Sequence, residues 1–155
     1  MTENERLVQA EVRKGQTTLC AARDGKLVYR SSGRGIADLL QVIATQSGTE
    51  LQSLDWGDKL IGRAAALLFV LLRPASVFGL TMSAAAEDVL RQAGVSFAHD
   101  EVIPEIRNRD NTGPCPMEAA TVGVTDPVLA LQILTAVNQK LTQTTETTTF
   151  REEIL

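Results

Sequence analysis

The 155-residue chain has few of the residues that build metal, redox or disulfide chemistry. It contains one histidine and two cysteines, Cys20 and Cys115. A structural zinc site usually needs four Cys or His ligands and a catalytic site three, and disulfide-stabilised secreted domains carry several cysteine pairs. We therefore expect no zinc site, no disulfide framework and no cofactor.

Aromatic residues and positive charge in the second half are also scarce. Aromatics make up 4% of the chain, and residues 76–155 carry 5 basic against 11 acidic side chains. A nucleic-acid surface needs a concentrated basic footprint, and single-strand binding needs aromatic side chains for base stacking. We therefore expect no nucleic-acid partner.

Long hydrophobic runs are missing as well. The longest run, Ala64–Leu72, has nine residues, whereas about 20 are needed to span a bilayer. The first residues are polar and lack the apolar region of a secretory signal. These features predict a cytoplasmic protein that does not enter a membrane.

Hydrophobic periodicity and capping residues predict alternating strands and helices. Asp24-Gly25 is typical of a two-residue hairpin turn. In chain order we predict a helix over residues 5–14, a hairpin within Thr17–Arg30, a helix from Ile36 to about Ser47, a strand over Leu51–Trp56, a helix over Lys59–Arg73 capped by Asp58, a strand over Ser76–Thr81, a helix from Ser83 to Gly94, strands over Val95–Phe97 and Glu101–Ile106, and a helix from Asp126 to about Leu141.

This alternation predicts an α/β fold, a three-layer αβα domain with helices on both faces of the sheet. The initial hairpin makes the sheet mixed rather than wholly parallel. The domain covers residues 1–141, and the Thr-rich tail 142–155 is expected to be frayed or disordered.

Residues 107–118 concentrate the reactive side chains of the chain. Two guanidinium groups, two carboxylates, two amides and a thiol lie within twelve positions. Local turn chemistry explains part of the pattern, because Asn and Asp build turns and Gly permits a positive φ. It does not explain Arg109 between two acceptors, an arrangement suited to a planar or anionic group. The residues expected to face a ligand are Asn108, Arg109, Asp110, Thr112, Gly113 and Glu118.

Cys115 falls at the N-cap of a short predicted helix, because Pro116 suits the first helical position. A helix N-terminus stabilises a thiolate, so Cys115 is our candidate nucleophile, with Lys59 or Asp110 as its proton partner. The alternative is that Pro-Cys-Pro only shapes the start of the helix, since reactive thiols usually have a basic neighbour.

Lys59 and Arg63 are four residues apart and would share one face near the N-terminus of the predicted helix. Two cations beside the positive end of the helix dipole predict a nearby anion. That anion is either a ligand phosphate or carboxylate, or a protein carboxylate in a salt bridge, from Asp55, Asp58 or an acidic loop residue. Gly62, in the first turn, indicates close approach of a strand or a ligand. The Ser32–Gly35 corner is a weaker anion-binding candidate, because it lacks a Walker lysine and a full dinucleotide fingerprint.

On these motifs the chain resembles a family without an assigned function, domain of unknown function 1893, placed in the cytidine-deaminase-like superfamily. The resemblance covers residues 5–140, approximately, and rests on Asp24-Gly25, residues 33–36 with Leu39-Leu40, residues 58–68, Met82-Ser83 and residues 108–118. It implies a three-layer αβα fold around a mixed sheet. Zinc deaminases carry their His/Cys-x-Glu and Pro-Cys-x-x-Cys motifs at the starts of two central helices. The corresponding positions here, near Asp58 and Ser83, carry no zinc ligand set.

The sequence thus predicts a metal-independent pocket for a small polar or anionic ligand, including nucleotide-like ligands. Asp58, Lys59 and Arg63 would line one side, and the 108–115 segment the other, because α/β folds place ligands at the helix starts along one sheet edge. One alternative is a non-enzymatic protein-interaction module that uses the charged loop and the C-terminal tail. A zinc-dependent deaminase is a third reading. Enzymatic activity and self-association are both left open.

Overall fold

The chain folds around one mixed sheet of five strands. The computed structural model describes the backbone of residues 1–45, 50–108 and 110–154, and side chains in those ranges as far as Thr142. In chain order its elements are α1 (Glu3–Arg13), β1 (Leu19–Arg23), β2 (Lys26–Ser31), α2 (Ala37–Thr45), β3 (Asp55–Ile61), α3 (Arg63–Leu71), β4 (Ser76–Ser83), α4 (Ala84–Gln92), β5 (Phe97–Ile103), α5 (Pro116–Ala120) and α6 (Pro127–Ile154).

The sheet has the strand order β2-β1-β3-β4-β5. β1 runs antiparallel to both β2 and β3, whereas β3, β4 and β5 are parallel. The predicted hairpin is confirmed: Asp24 and Gly25 join β1 to β2 with φ values of 52° and 76°, as a tight turn of this kind requires. The mixed sheet follows from this hairpin.

The clearest departure from the sequence pattern concerns Asp58 and Lys59. We predicted them as the cap and first residue of a helix, but both lie inside β3, and α3 begins at Arg63 with Gly62 as its N-cap. β3 is bonded to a strand on each side, so its backbone groups are satisfied by the sheet rather than by a helix. The strand predicted over Leu51–Trp56 is displaced toward the C-terminus for the same reason.

Two further boundaries differ from the prediction. The strands expected over Val95–Phe97 and Glu101–Ile106 form one strand, β5, which pairs with β4 along its length. α6 continues beyond Leu141 to Ile154. The predicted end of α2 near Ser47 lies outside the described residues.

The predicted caps of α4 are confirmed. The Ser83 hydroxyl accepts the N–H of Ala86 at 3.1 Å, and Gly94 follows the helix with a φ of +73°. The start of α6 is confirmed too, since Asp126 Oδ1 accepts the N–H of Val128 at 3.0 Å. Side-chain caps of this kind stabilise a helix by about 1 kcal/mol.

Helices cover both faces of the sheet. α1 packs Val8 and Val12 against a small core on one face. The other face carries the larger core, to which α2, α3, α4 and α6 each contribute buried leucines: Leu39, Leu68, Leu90 and Leu134. α3 lies at its centre, with every residue from Ala64 to Phe69 buried. None of the helices that the structure describes is long and apolar enough to cross a membrane.

Candidate functional site

A cavity of about 340 Å³ opens at the edge of the sheet where β3 ends. The end of β3, the first turn of α3, the Gly-rich corner before α2 and the segment leading into α5 form its walls. Most of the wall is apolar, and the polar side chains Asp58, Cys115 and Glu118 also line it. Its volume falls at the small end of the range for ligand sites, and its position matches the usual binding edge of α/β sheets.

Asp58 is half-buried in the cavity wall and has no ion-pair partner among the residues described. Alternation along β3 puts its side chain on the same face of the sheet as Trp56. Burial raises the pKa of Asp58 well above its usual range. Neighbouring backbone N–H groups oppose this in part, and the charge of Asp38 adds to it. A protonated carboxyl can donate as well as accept a hydrogen bond.

Glu118 lines the cavity but is already engaged in the protein. Its Oε1 and Oε2 accept the backbone N–H groups of Arg63 at 2.7 Å and of Ala64 at 2.8 Å. A carboxylate from α5 therefore caps the N-terminus of α3, a position that otherwise attracts a bound anion. The carboxylate at this position is thus Glu118, an acidic residue of the 107–118 segment. It accepts from backbone N–H groups, whereas the side chain of Arg63 bonds to carbonyls, so the salt bridge predicted for that side chain is not formed among the described residues.

The close approach predicted at Gly62 is its contact with Glu118 and Ile106. A β-carbon at Gly62 would overlap the Glu118 carboxylate and would lie 2.5 Å from Ile106 Cδ1. Glycine at this position lets α5 and the segment before it pack against the start of α3.

The side chain of Arg63 is bonded to the turn after α5. Its Nε donates to the carbonyl of Thr121 at 3.0 Å and its Nη2 to the carbonyl of Val124 at 2.9 Å. The guanidinium group thus holds the turn after α5, and Arg63 does not line the cavity. Because Lys59 lies on β3, the two cations do not share a helix face, contrary to the prediction.

Lys59 and Arg34 are the cations that line the cavity within the described residues, and both are exposed. Lys59 Nζ lies 3.3 Å from the carbonyl of Gly15, which follows α1. Its ammonium group is therefore directed toward the α1 side of the sheet. Arg34 belongs to the Gly-rich corner, which is tied to α2 by the bond from Gly33 N to Asp38 Oδ2 at 2.7 Å.

Cys115 occupies the predicted N-cap position of α5, with Pro116 as the first helical residue. Its side chain makes no capping hydrogen bond, and α5 has only five residues. Cys115 is half-buried in the cavity wall, whereas Cys20 is fully buried, and burial raises the pKa of the Cys20 thiol to about 12.

The tip of the 107–118 segment is an exposed loop held together by its own side chains. Asn108 Oδ1 accepts the N–H of Thr112 at 2.9 Å, and Arg107 Nε donates to Asn111 Oδ1 at 3.0 Å. The loop closes where Asn108 N donates to the carbonyl of Gly113 at 2.9 Å. Local turn chemistry thus accounts for most of its polar groups.

Among the described residues of this segment, only those at its base reach the cavity. Ile106, Cys115, Met117 and Glu118 line it, whereas four predicted ligand-facing residues do not: Asn108, Asp110, Thr112 and Gly113. Arg109 lies outside the described residues.

Sequence reasoning missed the apolar walls, which include Ile36, Leu60, Ile106 and Met117. Apolar side chains at helix and strand ends look the same in a sequence whether they line a core or a cavity. One sequence feature could have indicated an apolar wall: Ile36 directly follows the Gly-rich corner, which also lines the cavity.

Within the parts of the chain that the structure describes, no group of three His, Cys, Asp or Glu side chains could hold a metal ion. His99 lies on β5, where its Nε2 contacts Glu87 of α4. It does not line the cavity.

Comparison with known proteins gives a family and a fold. No curated protein matches the chain. The crystal structure of a DUF1893 family protein from Thermotoga maritima is similar, with 24% identity, coverage of 90% of this chain and 91% of that one, and a TM-score of 0.76. This likeness shows the fold. Residues 7–137 match the family described as a domain of unknown function, DUF1893, and the chain belongs to that family.

Proposed function

We propose that the cavity at the end of β3 binds a small polar ligand, nucleotide-like ligands included, and that binding requires no metal. The observation that carries the proposal is Asp58, an ionisable side chain without an ion-pair partner among the described residues, in an otherwise largely apolar wall. Convergence of a few polar groups in an apolar cavity is typical of small-molecule sites.

The residues proposed to serve the site differ in role. Asp58 and Cys115 are available to a ligand, whereas Glu118 supports the wall by capping α3. An anionic part of the ligand would have Arg34 as its partner at the open side. Catalysis by Cys115 with Lys59 stays a prediction, and Asp110 would have to act from a loop that does not line the cavity.

Zinc-dependent deamination has less support, because the donor set does not fit. Gly62-Arg63 and Ser83-Ala84 stand at the starts of α3 and α4. None of these residues is a zinc ligand. That the chain belongs to the cytidine-deaminase-like superfamily is a proposal about its ancestry. A shared fold does not imply a shared reaction.

A protein-interaction module, including self-association, is the second candidate. It is favoured by exposed apolar side chains around the start of α6, where Val122, Val128 and Leu129 are 78%, 54% and 43% exposed. Replacing Val128 with Asp and measuring mass by sedimentation equilibrium tests it. If the parent protein and Val128→Asp are both monomeric at every concentration, self-association is contradicted.

A thermal-shift screen in EDTA tests the pocket, using nucleosides, nucleotides, sugar phosphates and carboxylic acids. A ligand at 100 times its Kd stabilises the folded state by about 2.7 kcal/mol. The shift should disappear in Asp58→Leu and persist in Asp88→Leu, the same change at an exposed residue of α4. If no compound of any class shifts the melting temperature, the proposal fails.

A further inference from the structure

A second, smaller cleft lies on the face of the sheet that α1 covers. It has a volume of about 80 Å³ and opens between α1 and the first residues of β4 and β5. Val8 of α1 and Phe78 of β4, which belong to the small core of that face, contribute apolar surface. The polar side chains in its lining are those of Glu5, Gln9, Ser76 and Ser96. The cavity at the end of β3 lies at the opposite end of the parallel strands, so this cleft, named the α1 cleft, is a separate site and does not depend on the proposed function.

Gln9 is a buried amide in the wall of the α1 cleft. The residue is 7% exposed, yet its side chain makes no hydrogen bond with any other residue that the structure describes. Buried amide groups nearly always have a hydrogen-bond partner, because an unpaired one loses its hydration without compensation. The amide of Gln9 is therefore available to a group that enters the cleft.

Ser76 connects the α1 cleft to a buried carboxylate. Its hydroxyl donates to Oδ1 of Asp55 at 2.5 Å. Because a hydroxyl has a single proton, Ser76 Oγ is left with acceptor capacity only. Asp55 is 6% exposed and forms no ion pair within the described part of the chain. A buried carboxylate is costly without a counter-charge, and a cation in the cleft would supply one through the shared hydroxyl.

These acceptors match a primary ammonium group, and we infer that the α1 cleft binds a small amine. An ammonium group has three N–H donors, and three side chains offer acceptors: the amide carbonyl of Gln9, the Oγ of Ser76 and the carboxylate of Glu5. Glu5 is half-buried, and its side chain makes no hydrogen bond or ion pair with another described residue. Val8 and Phe78 supply apolar surface for a short alkyl stem. A volume of about 80 Å³ holds about three water-sized groups, so the bound part of the amine has about three non-hydrogen atoms.

Other small ligands leave part of this arrangement unmatched. A carboxylate or phosphate would add negative charge beside Glu5 and near Asp55, and no cation lines the cleft among the described residues. Arg13 lies over the ring of Phe78, but it is paired with Asp100 at 2.7 Å. Water or an alcohol would satisfy the free amide and leave the buried carboxylate without a counter-charge. A quaternary ammonium carries the charge but has no N–H group to donate.

NMR titration of the isotope-labelled full chain with ethylammonium chloride at constant ionic strength tests the inference. We expect a saturable shift of the side-chain amide signals of Gln9, with a dissociation constant of about 1–10 mM, because three non-hydrogen atoms supply little more affinity. Tetramethylammonium, potassium and ethanol should each bind about tenfold more weakly, and the backbone signal of Gly62, beside the other cavity, should not move. No saturable shift, or an equal response to potassium, would overturn the inference. An equal response to ethanol would also overturn it, since the cleft would then be a site for water and hydroxyl groups only.

Two variants assign binding to the α1 cleft, with the backbone amide signal of Ser96 as the reporter. Gln9→Met keeps the length of the side chain, removes the amide and should weaken ethylammonium binding about tenfold. Gln92→Met, the same change at an exposed residue of α4, should leave the affinity unchanged. Glu5→Gln removes the charge at the cleft and should also weaken binding, whereas Glu3→Gln, at an exposed position of α1, should not. Unchanged affinity in Gln9→Met, or in Glu5→Gln where Gln9→Met does not fold, would overturn the assignment.

Discussion

The carboxylate of Glu118 occupies the space that a β-carbon would need at Gly62. From there it accepts the first two N–H groups of α3, and Arg63 at the start of α3 donates in return to carbonyls that follow α5. The two short elements thus hold each other in place and form one wall of the cavity. Their contacts join residues more than 50 positions apart.

Glu118→Gln should lower the free energy of unfolding by about 1–2 kcal/mol, because it removes the charge and one of the two acceptors at the N-terminus of α3. Urea denaturation measures the difference. Glu105→Gln, the same change at an exposed residue that pairs with Arg107, should stay within about 0.5 kcal/mol of the parent protein. Equal losses in the two variants would argue against the cap.

Gly62→Ala should lower the free energy of unfolding by about 1–3 kcal/mol, because the added methyl group overlaps Glu118 and Ile106. Its cost should fall by about 0.5 kcal/mol or more when Glu118 is already alanine, which a double-mutant cycle measures. Gly113→Ala enters open space and serves as the control. Strict additivity of the two changes would contradict the contact.

Arg63→Ala should destabilise the fold by about 1.5–3 kcal/mol, since two carbonyls lose a charged donor. It should leave the dissociation constant of a ligand identified in the thermal-shift screen within about twofold of the parent value, because the side chain does not line the cavity. The exposed Arg6→Ala is the matched control for stability. A large loss of affinity with no loss of stability would restore Arg63 as a ligand-binding residue.

Asp58→Asn should change how stability depends on pH. Because burial raises the pKa of Asp58 in the folded state, the folded form holds its proton more tightly than the unfolded form does. Below about pH 4 both forms are protonated, and the parent protein loses stability from Asp58 as pH rises to the folded-state pKa. The stability of Asp58→Asn relative to the parent should therefore increase with pH above about 4. Asp88→Asn should show no such rise, and a flat difference for Asp58→Asn would refute the raised pKa.

Iodoacetamide should label Cys115 in the native protein at pH 8 and leave Cys20 unmodified until urea is added. Cys20 is fully buried, and its pKa is raised to about 12, first by burial and then by the charge of Glu11. Mass spectrometry of Cys115→Ser should show no native labelling. A ligand bound in the cavity should slow the labelling of Cys115, and a rate unaffected by saturating ligand would place the ligand elsewhere.

Local sequence rules predicted the features that depend on near neighbours. The turn at Asp24-Gly25 needs positive φ at two adjacent residues, and the Ser83 and Gly94 caps involve atoms within one helical turn. The N-cap position of Cys115 follows from Pro116 beside it. Such features can be read from the sequence because their energies are set by a few adjacent residues.

The site was predicted less well because its geometry depends on distant pairings. The local pattern around Asp58 and Lys59 suits a helix start, yet pairing of β3 with strands on both sides overrides it. In the same way, the polar residues around Asn108 satisfy one another within the loop and do not reach the cavity.

The α/β class, the hairpin at Asp24-Gly25, the caps of α4 and α6 and the family could be predicted from the sequence, because they depend on local conformation and on motifs. The sequence did not predict that Asp58 lines an apolar cavity from within β3, that Glu118 caps α3 or that Arg63 bonds to the turn after α5. Each of these is fixed by hydrogen bonds and packing between segments far apart in the chain, whose partners no local pattern specifies.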